Sequence, residues 1–153
     1  MTKYRSLSKE ELVPLEDDFI SFLVLNGITG DDWKKIVKND PQTAQQMTEQ
    51  FSDVVWEGIL RKAEYLVYKS NKSIKCFHCQ KEKIVLVGLD SEHLDLLSTD
   101  LTDVKVSKAA DGLSVYTSSK AYSKVREKEL YDMLNWGCEI TDGELYKILC
   151  LAL

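Results

Sequence analysis

Histidine, proline and signature glycine motifs are scarce in this chain, and each shortage removes a class of function. Only His78 and His93 could serve as imidazole bases in 153 residues. Neither belongs to an HExxH pair, and there is no phosphate-cradling glycine loop, no GxSxG elbow and no EF-hand loop. The common routes to zinc peptidase, nucleotide-binding, serine hydrolase and calcium-sensor chemistry are therefore not signalled. No apolar run approaches the roughly 20 residues of a membrane-spanning helix. No apolar stretch follows the early charges Lys3 and Arg5 either, so no signal peptide is read. A cytoplasmic protein with no membrane partner is expected. Internal repeats and low-complexity segments are also lacking.

What is present is an ordinary globular balance, with 44% apolar and 29% charged residues. The length suits a single globular domain over residues 1–153, with a core that needs no disulfide or metal. The net charge is −5. Nucleic acid is not an expected partner, because phosphate neutralisation supplies most non-specific affinity. The four cysteines, Cys76, Cys79, Cys138 and Cys150, read as reduced thiols.

Helices open the chain. Ser8 with Glu11 forms a capping box, Pro14 kinks the first run or marks its true first turn, and Gly27 stops it. Thr29 with Asp32 caps a second helix bearing Trp33, Ile36 and Val37. Asp40-Pro41 ends it and starts a third, whose apolar stripe runs from Ala44 through Phe51, Val55 and Ile59 to Leu66. The pattern then changes. Ile74–Cys79 and Ile84–Leu89 flank the polar turn Gln80–Lys83 and read as a hairpin, the second run being solid enough for a strand covered on both faces. A brief strand is expected at Val104–Val106, a turn at Asp111-Gly112 and a strand at Leu113–Tyr116. A helix is expected from Ser119 to a stop at Gly137, a link or strand at Cys138–Ile140, and a last helix capped by Asp142. The expected fold is α+β: N-terminal helices, a small mostly antiparallel sheet of three or four strands built around a hairpin, and C-terminal helices.

Three groups could carry chemistry. Cys76-Phe77-His78-Cys79 holds two thiols and an imidazole, but a structural zinc site wants four ligands. On a strand Cys76 and His78 share one face and Cys79 takes the other. Semi-buried strand residues are the preferred reading, with no metal and no cofactor. Asp90, Glu92 and His93 follow the best strand and could hold a cation and a base, although a solvated helix start explains them as well. Lys69, Lys72, Lys75, Lys81 and Lys83 interleave with Phe77 and His78, as in a single-strand nucleic-acid face. Edge-strand protection is the preferred reading. Trp33 is expected in the core, while Trp56 and Trp136 lie on or beside apolar helix faces.

Several stretches resemble a family of small bacterial proteins of unknown function, of Bacteroidota type. They are Leu7–Leu12, Asn26–Thr29, Phe51–Asp53, Phe77–Cys79 and Gly137–Gly143. The resemblance implies a cytoplasmic bacterial protein and brings no catalytic residues with it; Cys76 lies outside the matched stretch.

With no catalytic constellation, the leading expectation is a non-enzymatic interaction module whose partner is another protein or its own copy. The alternative is a small metal-dependent or nucleic-acid-directed enzyme built on the 74–95 hairpin and the acidic segment 90–103, which requires His78, His93, Asp90 and Glu92 to converge. The apolar C-terminus, Leu145 to Leu153, is expected to pack Leu145, Ile148, Leu149 and Ala152 into the core. Leu151 and Tyr146 are left for a homodimer contact.

Overall fold

The computed structural model describes residues 3–98, 101 and 112–153. They fall into two compact units, residues 1–59 and 60–153.

The first unit is helical. Ser8 and Glu11 make the reciprocal capping box of α1 (Lys9–Leu12), and Pro14 sits in a 3-10 turn at Val13–Leu15. Helix α2 (Glu16–Leu25) ends before Gly27, whose φ of +76° lies in the left-handed region that lets the chain reverse. Thr29 and Asp32 box the start of α3 (Gly30–Asn39). Asp40 accepts from the Thr43 amide at 3.2 Å, and Pro41 opens α4 (Pro41–Lys62). These starts are legible in sequence because caps are local. The leading segment is tied to α4 by side chains. Asp53 accepts from the amides of Lys3 and Tyr4, and buried Ser52 accepts from the Leu7 amide at 2.9 Å while donating to the Thr48 carbonyl. Phe51 is the aromatic centre, with Phe19 and Phe22 at 4.9 and 5.4 Å.

The described residues of the second unit form an antiparallel sheet of five strands: β1 (Tyr65–Lys69), β2 (Ser73–Cys79), β3 (Lys83–Ser91), β4 (Leu113–Ala121) and β5 (Glu139–Thr141). Their order is β4-β3-β2-β1-β5. The hairpin read from the sequence is β2–β3, and it lies inside the sheet. Helix α5 (Arg126–Asn135) lies over the face bearing Leu66, Phe77 and Leu86, and α6 (Glu144–Leu151) over the face bearing Val67, Cys76 and Val87. Cover on both faces explains the solid apolar run of β3. Gly88 is the gap in that run, and Tyr116 of β4 fills it: a Cβ on Gly88 would lie 2.1 Å from the tyrosine ring.

Three expectations are corrected. The third helix does not continue to Leu66; it ends at Lys62, and Tyr65-Leu66-Val67-Tyr68 forms β1. Partners on both sides, β2 along the whole strand and β5 at Tyr65–Val67, give these aromatic and branched residues a ladder that outweighs the helical stripe. No helix starts at Ser119. Strand β4 runs to Ala121 because Lys83–Val85 of β3 pair with Ser119–Ala121, and the helix waits until Arg126. Among the described residues the sheet has five strands rather than three or four, because β1 and β5 join it. At α6 the cap position is Gly143, with Asp142 accepting from the Glu144 amide at 3.0 Å. The expected strand at Val104–Val106 and residue Asp111 lie outside the described residues.

Candidate functional site

The pleat divides the Cys-Phe-His-Cys group as its spacing requires. Cys76 joins the core under α6 with Val87, Leu149 and Ala152. Cys79 is buried on the opposite face, where its carbonyl accepts from Arg126. Burial pushes the Cys76 and Cys79 thiols up to about 12 and Cys138 to about 11, so none is a ready thiolate. His78 stacks flat on Tyr65 at 4.6 Å and meets Tyr146 edge-on at 5.5 Å. Tyr146, expected to need outside cover, is covered in part by these rings. Among the described residues no three of His, Cys, Asp and Glu converge as a metal-sized group.

Asp90 pairs across the hairpin with Ser73, whereas His78 faces Val85. Five strand positions, about 17 Å, separate the two ends. Glu92 and His93 lie 3.8 Å apart on the exposed surface beyond Asp90. Ser91 does not start a helix: its hydroxyl accepts from the Leu94 amide and donates to the Leu94 carbonyl, closing a turn. The four groups the enzyme alternative requires are therefore not brought together.

The lysines are divided too. Lys69 and Lys72 flank the β1–β2 turn, Lys81 and Lys83 the β2–β3 turn, and Lys75 lies between them. Their expected role as edge protection is corrected by strand order: β2 is interior, and among the described residues the long edge strand is β4.

Two side chains that the sequence reading passed over organise the α5 end. The Arg126 guanidinium donates to four carbonyls: Gln80 at 3.2 Å, Leu60 at 2.9 Å, Ala63 at 2.5 Å and Cys79 at 3.1 Å. Its planar fork fits this arrangement. Glu129 is buried, accepts from Lys120 and takes the Ser123 and Lys124 amides at 2.9 and 3.3 Å. Burial would raise its carboxyl, but these donors together outweigh it and hold the group below its ordinary range. Beside Glu129 is a cavity of about 370 Å³ with an apolar floor of Phe77, Ile84, Leu86 and Met133, and with Trp136 also lining it. Its charges occur as closed pairs, Lys120 with Glu129 and Lys124 with Asp132, which makes it a structural clamp. No sequence spacing marks these partners, because they come from β4, the following loop and α5.

The helical unit presents a different chemistry. Its buried apolar side chains among the described residues are Tyr4, Leu7, Leu23 and Phe51. Val13, Ile20 and Val24, at helical spacing on one side, are 72%, 51% and 62% exposed. A groove of about 580 Å³ adjoins them, walled by Leu12, Phe19, Ile20, Leu23 and Trp33, with Glu16 and Lys34 also in its lining. Trp33, expected in the core, is half-buried against Phe19 at 5.2 Å and forms this wall. Trp56 is half-buried under the Arg5 guanidinium, 5.0 Å from the ring centroid.

The fold and these surfaces define an α+β protein with a five-stranded antiparallel sheet and an apolar groove in its helical part. No helix among the described residues is long and apolar enough to cross a membrane. The chain belongs to a family of unknown function, DUF6495, whose model matches residues 1–153. No curated protein and no solved structure matches it.

Proposed function

We propose that this protein is a non-enzymatic interaction module that binds another protein through the groove of its helical unit. The observation that carries the reading is the Val13–Ile20–Val24 stripe, which stands exposed beside a groove walled by Phe19, Leu23 and Trp33. Contiguous apolar surface of this kind is characteristic of partner-binding sites. A groove between helices suits an amphipathic segment that inserts apolar side chains at helical spacing. The dispersal of His78, Asp90, Glu92 and His93 gives the enzyme alternative no comparable support. A reducing, cytoplasmic setting and the bacterial origin implied by the sequence resemblance belong to the same proposal. The buried thiols on both sheet faces agree with that setting.

The test compares wild type with the double variant Ile20→Gln/Val24→Gln as bait in native cell extract. Each protein recovered is then purified, and its binding is measured directly by calorimetry. Burying one such side chain is worth about 1.5–3 kcal/mol. The double variant should therefore bind the purified partner at least about tenfold more weakly, since 1.4 kcal/mol is a factor of ten. Equal affinity for wild type and variant would refute the groove as the binding site.

A further inference from the structure

Among the described residues strand β4 forms the long edge of the sheet, and the usual defences of an edge are thin along it. Its nine residues pair with β3 without a bulge, from Lys83 opposite Ala121 to Ser91 opposite Leu113. The strand holds no proline, and its one charge, Lys120, is held by Glu129. Thr117 to Ala121 are all exposed. Natural edge strands are ordinarily kept short, bulged, charged or covered, because a row of open backbone donors and acceptors templates another strand. The opposite edge, β5, has three residues and offers little to pair with.

We propose that β4 is a self-association edge, pairing antiparallel with β4 of a second copy about a two-fold axis at Thr117. The strand's own sequence supports a second copy as the occupant. In an antiparallel pair centred on Thr117, Ser118 faces Tyr116 of the other chain, Ser119 faces Val115, and Lys120 faces Ser114. No like charges meet, although each strand carries a lysine. Thr–Thr and Ser-containing cross-strand pairs are favourable neighbours. This centre also pairs all nine residues, because Thr117 is the midpoint of the strand. A two-fold axis makes the contact closed, so one edge is consumed in each copy and no fibre results. The two five-stranded sheets become one of ten. The contact is separate from the helical groove and stands whether or not that groove binds a partner.

Sedimentation equilibrium of the full chain across a wide concentration range is the first measurement, and a monomer–dimer equilibrium is expected. Thr117→Glu places two carboxylates opposite each other at the axis and should weaken the dimer at least tenfold. Leu151→Glu and Ile20→Gln should leave it unchanged. Independently, Thr117→Cys should be joined across the axis by a short bis-maleimide linker. Ser114→Cys, some six strand positions from its own symmetry mate and so about 20 Å away, should not. The Cys arm decides the matter should Thr117→Glu fail to fold. A wild-type chain that stays monomeric at every concentration would overturn the proposal. So would a dimer that dissociates in Leu151→Glu or Ile20→Gln but survives Thr117→Glu, or linkage at Ser114→Cys as efficient as at Thr117→Cys.

Discussion

Replacing Arg126 should unfold this protein more readily than replacing any other charged side chain described above. The guanidinium is largely covered, 15% exposed, and donates to the carbonyls of Leu60, Ala63, Cys79 and Gln80. Leu60 and Ala63 flank the end of α4, where the last helical carbonyls lack intrahelical donors. Cys79 and Gln80 lead into the β2–β3 turn. In Arg126→Met the stem volume is kept and every donor is lost. A buried acceptor left unpaired costs about 1–3 kcal/mol. The Gln80 carbonyl keeps the Tyr122 hydroxyl at 2.6 Å, so three lose their donor, and water can enter at the turn and replace part of the set. Removing the one shared donor should then cost about 3–5 kcal/mol, the sum expected for two or three buried acceptors left without a partner. At this chain length that corresponds to a fall in Tm on the order of 10 °C. Arg126→Lys should recover only part of the loss, because an ammonium cannot span four carbonyls as a planar fork does. Urea titration followed by circular dichroism gives the free energy, and Lys128→Met on the solvated side of α5 is the control. An Arg126→Met variant within about 0.5 kcal/mol of wild type, the usual range for surface changes, would refute the assignment.

Leu149 is fully buried under the sheet and Leu151 is 77% exposed. Leu149→Ala should therefore lose about 2–5 kcal/mol, while Leu151→Glu stays within about 0.5 kcal/mol, as paired thermal melts would show. The folded Glu129 carboxyl is held below its ordinary value of 4.5. Its stabilisation is complete above that value and is lost as pH falls through the lower folded pKa. Stability measured against pH should drop less steeply below about pH 4.5 in Glu129→Gln than in wild type, and identical slopes would contradict the ion pair. Gly143 has a φ of +86°, and a Cβ there would lie 2.5 Å from Tyr65. Gly143→Ala should cost at least about 1–3 kcal/mol from backbone strain alone, readable as a lower urea midpoint. Calorimetry addresses the expectation of a single domain: one transition, with calorimetric and van't Hoff enthalpies equal, is expected.

Much of the local chemistry was legible in the sequence, although Asp142 was read as the cap where Gly143 stands. The caps at Ser8, Thr29 and Asp40, the stop at Gly27 and the β2–β3 hairpin depend on neighbours within a few residues, so spacing alone specified them. The division of Cys76 from Cys79 followed from the two-residue strand period, which no packing can alter. Tertiary pairing decided what spacing left open. Tyr65–Tyr68 continue an apolar helical stripe and also suit a strand; β2 and β5, distant in sequence, settled the choice. Ser119–Ala121 became strand because β3 needed a neighbour along its whole length. The carbonyls around Arg126 and the donors around Glu129 come from elements up to 66 residues apart, so no motif announces them. The exposed stripe beside the helical groove belongs to the same class. Sequence shows that Ile20 and Val24 are apolar, but only the packed structure decides which apolar residues the fold leaves uncovered, because burial depends on what the rest of the chain brings against them.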